Sequence, residues 1–258
     1  MLKKLTGILK KIKKIQVLSA FVMFFLVSGC HAMKKYPPEN FFHGTQLTLA
    51  QDIYDSNVDA IKKDVEKTDL NKPGRQDMTL LFYAFQSASD KDASRLNIIS
   101  ELVRLGANPL QRVPDVGSVA GVAARADSPV FMQALLKGGM SPNVKIMNTP
   151  VIMVAADDER IPTMDLLLKN GADVNQRDSL GATALMAALD GIQLDAVSWL
   201  LDKGADPRLT ETNSGWSFSK QLLSAQKKLG GDKKVDKKLQ EIIDKGIAHG
   251  MEWPPSAH

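Results

Sequence analysis

Side chains able to do acid–base, nucleophilic or metal chemistry are few in this sequence and poorly spaced for it. The four histidines are His31, His43, His249 and His258. No two of them stand one helical turn apart and no Cys/His cluster exists, so no metal site is expected. Cys30 is the sole cysteine. There is no G-x-S-x-G elbow, no G-x-x-x-x-G-K phosphate loop and no G-x-G-x-x-G dinucleotide fingerprint. The one acidic cluster is Asp157-Asp158-Glu159, which suits a metal or a basic partner, although such a run is more often solvated loop. The residues therefore predict no catalytic group and no cofactor. The chain reads as a binding protein, not an enzyme.

The elements that must position its binding surface begin with an address. Residues 1–30 hold six lysines (Lys3, Lys4, Lys10, Lys11, Lys13 and Lys14) and no acid; an apolar run from Val17 to Val27 and Ser28-Gly29-Cys30 follow. A basic start, a short apolar core and a small-residue cleavage site make a secretory signal. The apolar run is about half the length that a bilayer-spanning helix requires. Leu26-Val27-Ser28-Gly29-Cys30 also resembles the lipobox of bacterial lipoproteins. That resemblance implies cleavage before Cys30, a diacylglycerol on its sulfur and an acylated amine, and several acyl chains anchor stably where one is marginal. By the same resemblance, His31 in place of aspartate after the cysteine directs the protein to the periplasmic face of the outer membrane. Residues 1–29 are the expected signal peptide and 30–43 a lipidated tether, stiffened by Pro37-Pro38. A second start at Met33 would give a minor cytosolic form without lipid.

Composition narrows the rest. With 258 residues, 44% hydrophobic and 24% charged, neither wholesale disorder nor a polytopic membrane protein fits. The pI of about 9.0 belongs to the leader. Beyond residue 30, 27 basic groups face 29 acidic ones, so nucleic acid is not an expected partner.

Self-similarity governs the remainder. Leu105-Gly106-Ala107-Asn108-Pro109 recurs in altered form at Gly138-Gly139-Met140-Ser141-Pro142-Asn143, at Asn170-Gly171-Ala172-Asp173-Val174-Asn175 and at Lys203-Gly204-Ala205-Asp206-Pro207. The aligned glycines Gly106, Gly139, Gly171 and Gly204 are 33, 32 and 33 residues apart. Each follows an apolar pair: Leu102-Val103, Leu135-Leu136, Leu167-Leu168 and Leu200-Leu201. A second mark precedes each, at Thr79-Leu80-Leu81, Ser118-Val119-Ala120, Thr149-Pro150-Val151 and Thr183-Ala184-Leu185. Physically, the Thr or Ser caps a first helix and the glycine ends a second one in a left-handed conformation. Ala84, Ala123, Ala155 and Ala188 keep the first helix slim, so that neighbouring hairpins stack closely.

This pattern resembles the ankyrin repeat, whose period is 33. The resemblance implies an all-α solenoid of helix-turn-helix repeats joined by short β-turn fingers. Its repeats would be 75–110, 111–143, 144–175 and 176–207, between an N-terminal cap over 44–74 and a C-terminal cap over 208–258. The motif histidine is missing throughout; Phe82, Gly121, Ile152 and Met186 stand there. The resemblance further implies protein binding by fingertips and first-helix faces. The expected contact residues are Arg112, Asp115, Lys145, Met147, Arg177, Asp178 and Ser179 on the fingers, and Asp157, Asp158, Glu159, Arg160, Met186 and Asp190 on the helix side. Val113, Ile146 and Met147 are apolar where a fingertip should be wet.

A lipid-tethered ankyrin stack in the periplasm also resembles the immunity lipoproteins paired with type VI secretion phospholipase effectors. That implies a protein partner of phospholipase type, clamped without catalysis by a chain that is a monomer or part of a 1:1 complex, with the membrane reached through Cys30. The alternative is a periplasmic helper of an envelope stress enzyme such as a catalase.

Overall fold

The computed structural model describes residues 36–212 and 214–256. The expected signal peptide, Cys30, His31 and Met33 lie outside the described residues, as do Asn213 and His258. Between Gly117 and Ser118 the chain divides into two compact units.

The first unit contains two helical hairpins. Helix α1 (Gly44–Tyr54) pairs with α2 (Val58–Asp64), α3 (Leu80–Ser87) pairs with α4 (Ala93–Arg104), and α1 packs on α3. Leu49, Ile53 and Ile61 are fully buried, as helical spacing predicts for a degenerate first repeat. Asn57 and Asp92 cap α2 and α4 by accepting the Ala60 and Arg95 amides at 3.1 and 3.0 Å.

The tether expected over 30–43 is folded from Tyr36 onward. Pro38–Asn40 forms a 3-10 turn, and Phe41 and Phe42 are buried. The Phe42 ring meets Tyr83 edge-on at 5.5 Å, while the Tyr83 hydroxyl donates to the Tyr36 carbonyl at 3.1 Å. Gly74 makes this possible, since a Cβ there would stand 2.5 Å from the Phe41 carbonyl oxygen. Two adjacent phenylalanines carry more apolar area than a solvated strand can keep in water.

Short strands β1 (Arg112–Val113) and β2 (Gly117–Ser118) lie where the chain passes to the second unit. There, α5 (Val119–Ala124) and α6 (Val130–Lys137) form one hairpin, and α7 (Val151–Val154) and α8 (Ile161–Lys169) the next. Helices α9 (Ala184–Asp190) and α10 (Leu194–Asp202) follow, then α11 (Phe218–Leu229) and α12 (Lys233–Ala248). The first helices pack in a row, α5 on α7, α7 on α9 and α9 on α11, while α12 closes against α10 and α11. Ala123, Ala155 and Ala188 are fully buried in that row, and Leu135, Leu167 and Leu200 beside it.

The local reasons are those the repeats predict. Thr79, Ser118, Thr183 and Ser217 accept the amides of Phe82, Gly121, Met186 and Lys220 at 3.0, 3.2, 3.5 and 3.2 Å. Thr149 differs: it lies in strand β4 (Thr149–Pro150), opposite Ile146 of β3 (Lys145–Ile146), and α7 begins only after Pro150. A proline holds the residue before it extended, which keeps Thr149 in the strand and away from the cap. Gly106, Gly139, Gly171 and Gly204 take φ of 105°, 100°, 90° and 87°, the left-handed helix ends their spacing implies.

Three asparagines then staple a loop to the one that follows it. Asn143 donates to the Gly171 carbonyl at 3.0 Å and accepts the Asp173 amide at 2.8 Å. Asn175 does the same with Gly204 and Asp206, at 3.4 and 2.8 Å. In the first unit, Asn71 bridges Gly106 and Asn108 at 3.0 and 2.7 Å.

Candidate partner-binding face

The second unit projects three successive fingers from its helix row. The β3–β4 hairpin turns through Met147 and Asn148, both left-handed at φ 52° and 70°, the geometry of a type I′ turn. Methionine adopts that region at a cost, and Met147 is 69% exposed at the tip. In the next finger Asp178 accepts the Leu180 and Ala182 amides at 2.8 and 2.9 Å, and Arg177 donates to the Gly181 carbonyl at 2.9 Å. Leu180 is left 56% exposed. The third finger is closed by the Thr210–Ser217 bridge and by the Glu211 amide donating to the Trp216 carbonyl at 2.9 Å. Its Trp216 is 41% exposed. Arg177 donates to the Thr210 carbonyl and the Thr212 amide to the Leu180 carbonyl, so the second and third fingers are joined.

Of the residues expected to bind, Lys145, Met147, Arg177, Asp178 and Ser179 stand on these fingers. Arg112 and Asp115 belong to the first unit, where both are exposed and Asp115 is left-handed at φ 62°. Three apolar expectations need correction. Val113 is buried, and Ile146 is half-buried beside Gly121, whose added Cβ would lie 3.5 Å from the Ile146 side chain. Met186 is also buried rather than presented. It lies three residues after the capping Thr183, on the side of the first helix that faces the row, and core takes it.

The acidic cluster is corrected too. Asp157, Asp158, Glu159 and Arg160, expected on the helix side of the binding surface, form the lead-in to α8. Asp157 accepts the Glu159 amide at 3.0 Å and pairs with Arg160 at 2.7 Å. Asp158 accepts the Ala196 amide at 2.7 Å, while its own amide donates to the Gln193 side chain at 3.1 Å. Arg160 reaches back to the Arg125 carbonyl at 3.0 Å. The cluster thus sews three repeats together and leaves only Glu159 exposed. Asp190 accepts from Gln221 at 2.9 Å and so belongs to the junction with α11. Desolvation raises the carboxyls of Asp158 and Asp190 above the ordinary range; the Ala196 amide opposes it at Asp158, and the Glu211 charge adds to it at Asp190.

Sequence reasoning missed Leu180 and Trp216. The signal was available for Leu180, an apolar residue in the turn Asp178-Ser179-Leu180-Gly181. It was misleading for Trp216, which aligns with the buried Ala182.

Reactive chemistry has one further place to reside. Ser198 donates to Glu241 at 2.6 Å, and Lys245 donates to Ser198 at 2.8 Å. Lys245 also pairs with Asp202 at 2.6 Å, so its ammonium sits between two carboxylates and the cluster works as an ion-pair lock of α12 on α10. No group of histidine, cysteine and acidic side chains among the described residues could hold a metal ion. No helix among them is long and apolar enough to cross a membrane.

Comparison with known proteins places this geometry. The family model described as ankyrin repeats (3 copies) matches residues 120–211. Ankyrin repeat and SOCS box protein 6 of Homo sapiens is 28% identical over 144 residues, covering 51% of this chain and 34% of that protein. The same protein of Pongo abelii matches equally, so the chain spans about a third of the length of these curated relatives. Among solved structures, the ankyrin repeat domain of Bcl-3 superposes with a TM-score of 0.58 at 22% identity, over 80% of this chain and 86% of that one. An ankyrin repeat domain from Acinetobacter baumannii AYE gives 0.55 at 18% identity, over 78% and 97%. Stacked hairpins, left-handed glycines at a period of about 33 and these likenesses make this an ankyrin-repeat fold, with ankyrin repeats over 120–211.

Proposed function

We propose that this chain binds a protein partner through the fingers of its second unit, and that it does so as a lipid-anchored immunity protein of the bacterial envelope. Ankyrin repeats mediate protein–protein interaction, and the observation that carries the reading is the set of exposed apolar side chains on the fingers. Met147 and Leu180 stand in the turns of two successive fingers and Trp216 on the flank of the third, 69%, 56% and 41% exposed, beside the charges of Lys145, Arg177 and Glu211. Large apolar groups in water with a polar rim are what a partner's pockets desolvate. Met147 is also held in a left-handed conformation that a glycine would take without strain.

The finer reading rests on the leader and on the resemblance to immunity lipoproteins. An acylated Cys30 would hold the fingers at a membrane surface, where a phospholipase effector acts, and raise the local concentration of its inhibitor there. Neutralisation would follow from occlusion of the effector, with no bond made or broken by this chain.

The test is cross-linking in intact membranes, co-purification of the full chain and identification of what comes with it. A phospholipase-type effector supports the finer reading; a peroxide-detoxifying enzyme in its place would replace that reading with a helper role. Met147→Gly combined with Trp216→Ser should weaken capture by about tenfold or more while the fold is retained. Unchanged capture would remove the fingers from the interface. Cells lacking this protein that still resist the captured effector would remove the immunity role.

A further inference from the structure

We propose that the corner where α11 meets α12 is a docking surface for an anionic phospholipid bilayer. Lys227 and Lys228 end α11, and Lys233, Lys234 and Lys237 open α12, so five ammonium groups fall within eleven residues. All five are exposed. The acids of the same stretch are turned to internal work. Asp232 caps α12, accepting the Lys234 and Val235 amides at 2.8 and 3.0 Å, and Asp236 accepts the Gly231 amide at 3.2 Å. Lys227, Lys233 and Lys237 have no ion-pair partner among the described residues; Lys228 and Lys234 act on Asp190 and Asp232 only as nearby charges.

Helix α12 sorts its lysines by face. Lys238 and Lys245, on the side toward α10, are paired with Asp195 at 2.9 Å and Asp202 at 2.6 Å. The outward ones form no ion pair among the described residues, and with Asp232 and Asp236 still charged residues 227–237 keep five ammonium groups against two carboxylates. Lys233 and Lys234 moreover occupy the first turn of α12, where the helix dipole favours acids and disfavours cations. Solubility would be served as well by lysines at the other end, without that penalty. At the apex, Gly230 and Gly231 carry no side chain that would hold the ammonium groups away from a flat surface.

Charge complementarity demands an anion, and the residue types choose which. Residues 227–237 contain no arginine and no aromatic ring, the side chains that grip a phosphodiester backbone and stack on bases. Lysine is a compact, hydrated point charge, suited to a layer of headgroups that asks for no fixed geometry. The inference stands apart from the finger reading, since it uses none of the same residues.

The experiment is co-sedimentation of residues 30–258 carrying Cys30→Ala, so that neither the basic leader nor a lipid contributes, with phosphatidylcholine vesicles made with and without phosphatidylglycerol, at low salt. The chain carrying Lys233→Glu, Lys234→Glu and Lys237→Glu should partition onto the phosphatidylglycerol vesicles at least about tenfold less than the unaltered chain. On pure phosphatidylcholine the two should match. The exposed set Lys62→Glu, Lys63→Glu and Lys67→Glu, in the first unit, serves as the control for charge alone. If this control weakens binding as much, or if the α12 reversals change nothing, the proposal fails. It fails equally if the α12 reversals spare the vesicles and abolish binding of a single-stranded oligonucleotide. Fingertip variants leave the vesicle result unmoved, so the two readings can fall separately.

Discussion

Gly171 and Gly181 hold similar left-handed angles, φ 90° and 87°, for different reasons. Gly171 ends α8 with open space where a Cβ would stand; at Gly181 that position lies 2.5 Å from the Thr212 hydroxyl and 2.8 Å from its amide nitrogen. Gly171→Ala should cost backbone strain alone, about 1–2 kcal/mol. Gly181→Ala should add displacement of the neighbouring finger, for a total of roughly 3 kcal/mol or more. Urea unfolding of the two variants checks the ranking, and equal midpoints would mean that the fingers are not tightly joined. The first glycine was legible in the sequence, because Asn170-Gly171-Ala172-Asp173 states its own helix end. The second was not, because what crowds it is Thr212 of the next finger together with the Arg177 guanidinium that bridges to that finger.

At the scale of elements, α9 and α12 carry carboxylates displaced in opposite directions. The Ser198 hydroxyl, then Lys238 and Lys245, hold the Glu241 carboxyl below its ordinary range against some desolvation. Its contribution to stability is therefore present above the ordinary glutamate range and lost as pH falls through the lower folded value. Asp190 is the reverse: desolvation first, then the Glu211 charge, raise it. The folded state then binds the proton more tightly than the unfolded one, so stability falls as pH rises through the carboxylate range. Glu241→Gln should lose about 1 kcal/mol or less at neutral pH, with the loss fading in acid. Asp190→Asn, which still accepts from Gln221, should gain about 0.5 kcal/mol at neutral pH after solvent screening. Thermal melts across the acid range read both signs; a stabilising Glu241→Gln would contradict the ion-pair lock. Helix ends and caps were predictable here, since α11 and α12 begin where Ser217 and Asp232 offer a capping oxygen. Which face of α12 meets α10 was not, because Asp195 and Asp202 lie on a helix a full repeat away.

For the whole molecule, the repeat logic makes the last helix a requirement. In α12, Leu239, Ile242 and Ile243 are buried against α10 and α11. A chain ended at Gly231 gives up these three side chains, at about 1.5–3 kcal/mol each, and bares the apolar faces they covered. Such a chain should scatter light at concentrations where the full protein stays clear, and its helical melt should lose several degrees. A truncated chain with an unaltered melt would show that α12 is an appendage and not a cap.

The sequence by itself determined the period, the left-handed helix ends and the caps at Thr79, Ser118 and Thr183. All of these are decided within about 33 residues by turn chemistry and spacing, which a linear reading can see. Only the tertiary structure decided what each side chain faces. It buried Met186 and Val113, bared Leu180 and Trp216, turned the acidic run at Asp157–Glu159 into stitching between repeats, and folded Phe41 and Phe42 onto Tyr83. Burial is set by neighbours that arrive from other repeats, and a repeat read alone does not contain them.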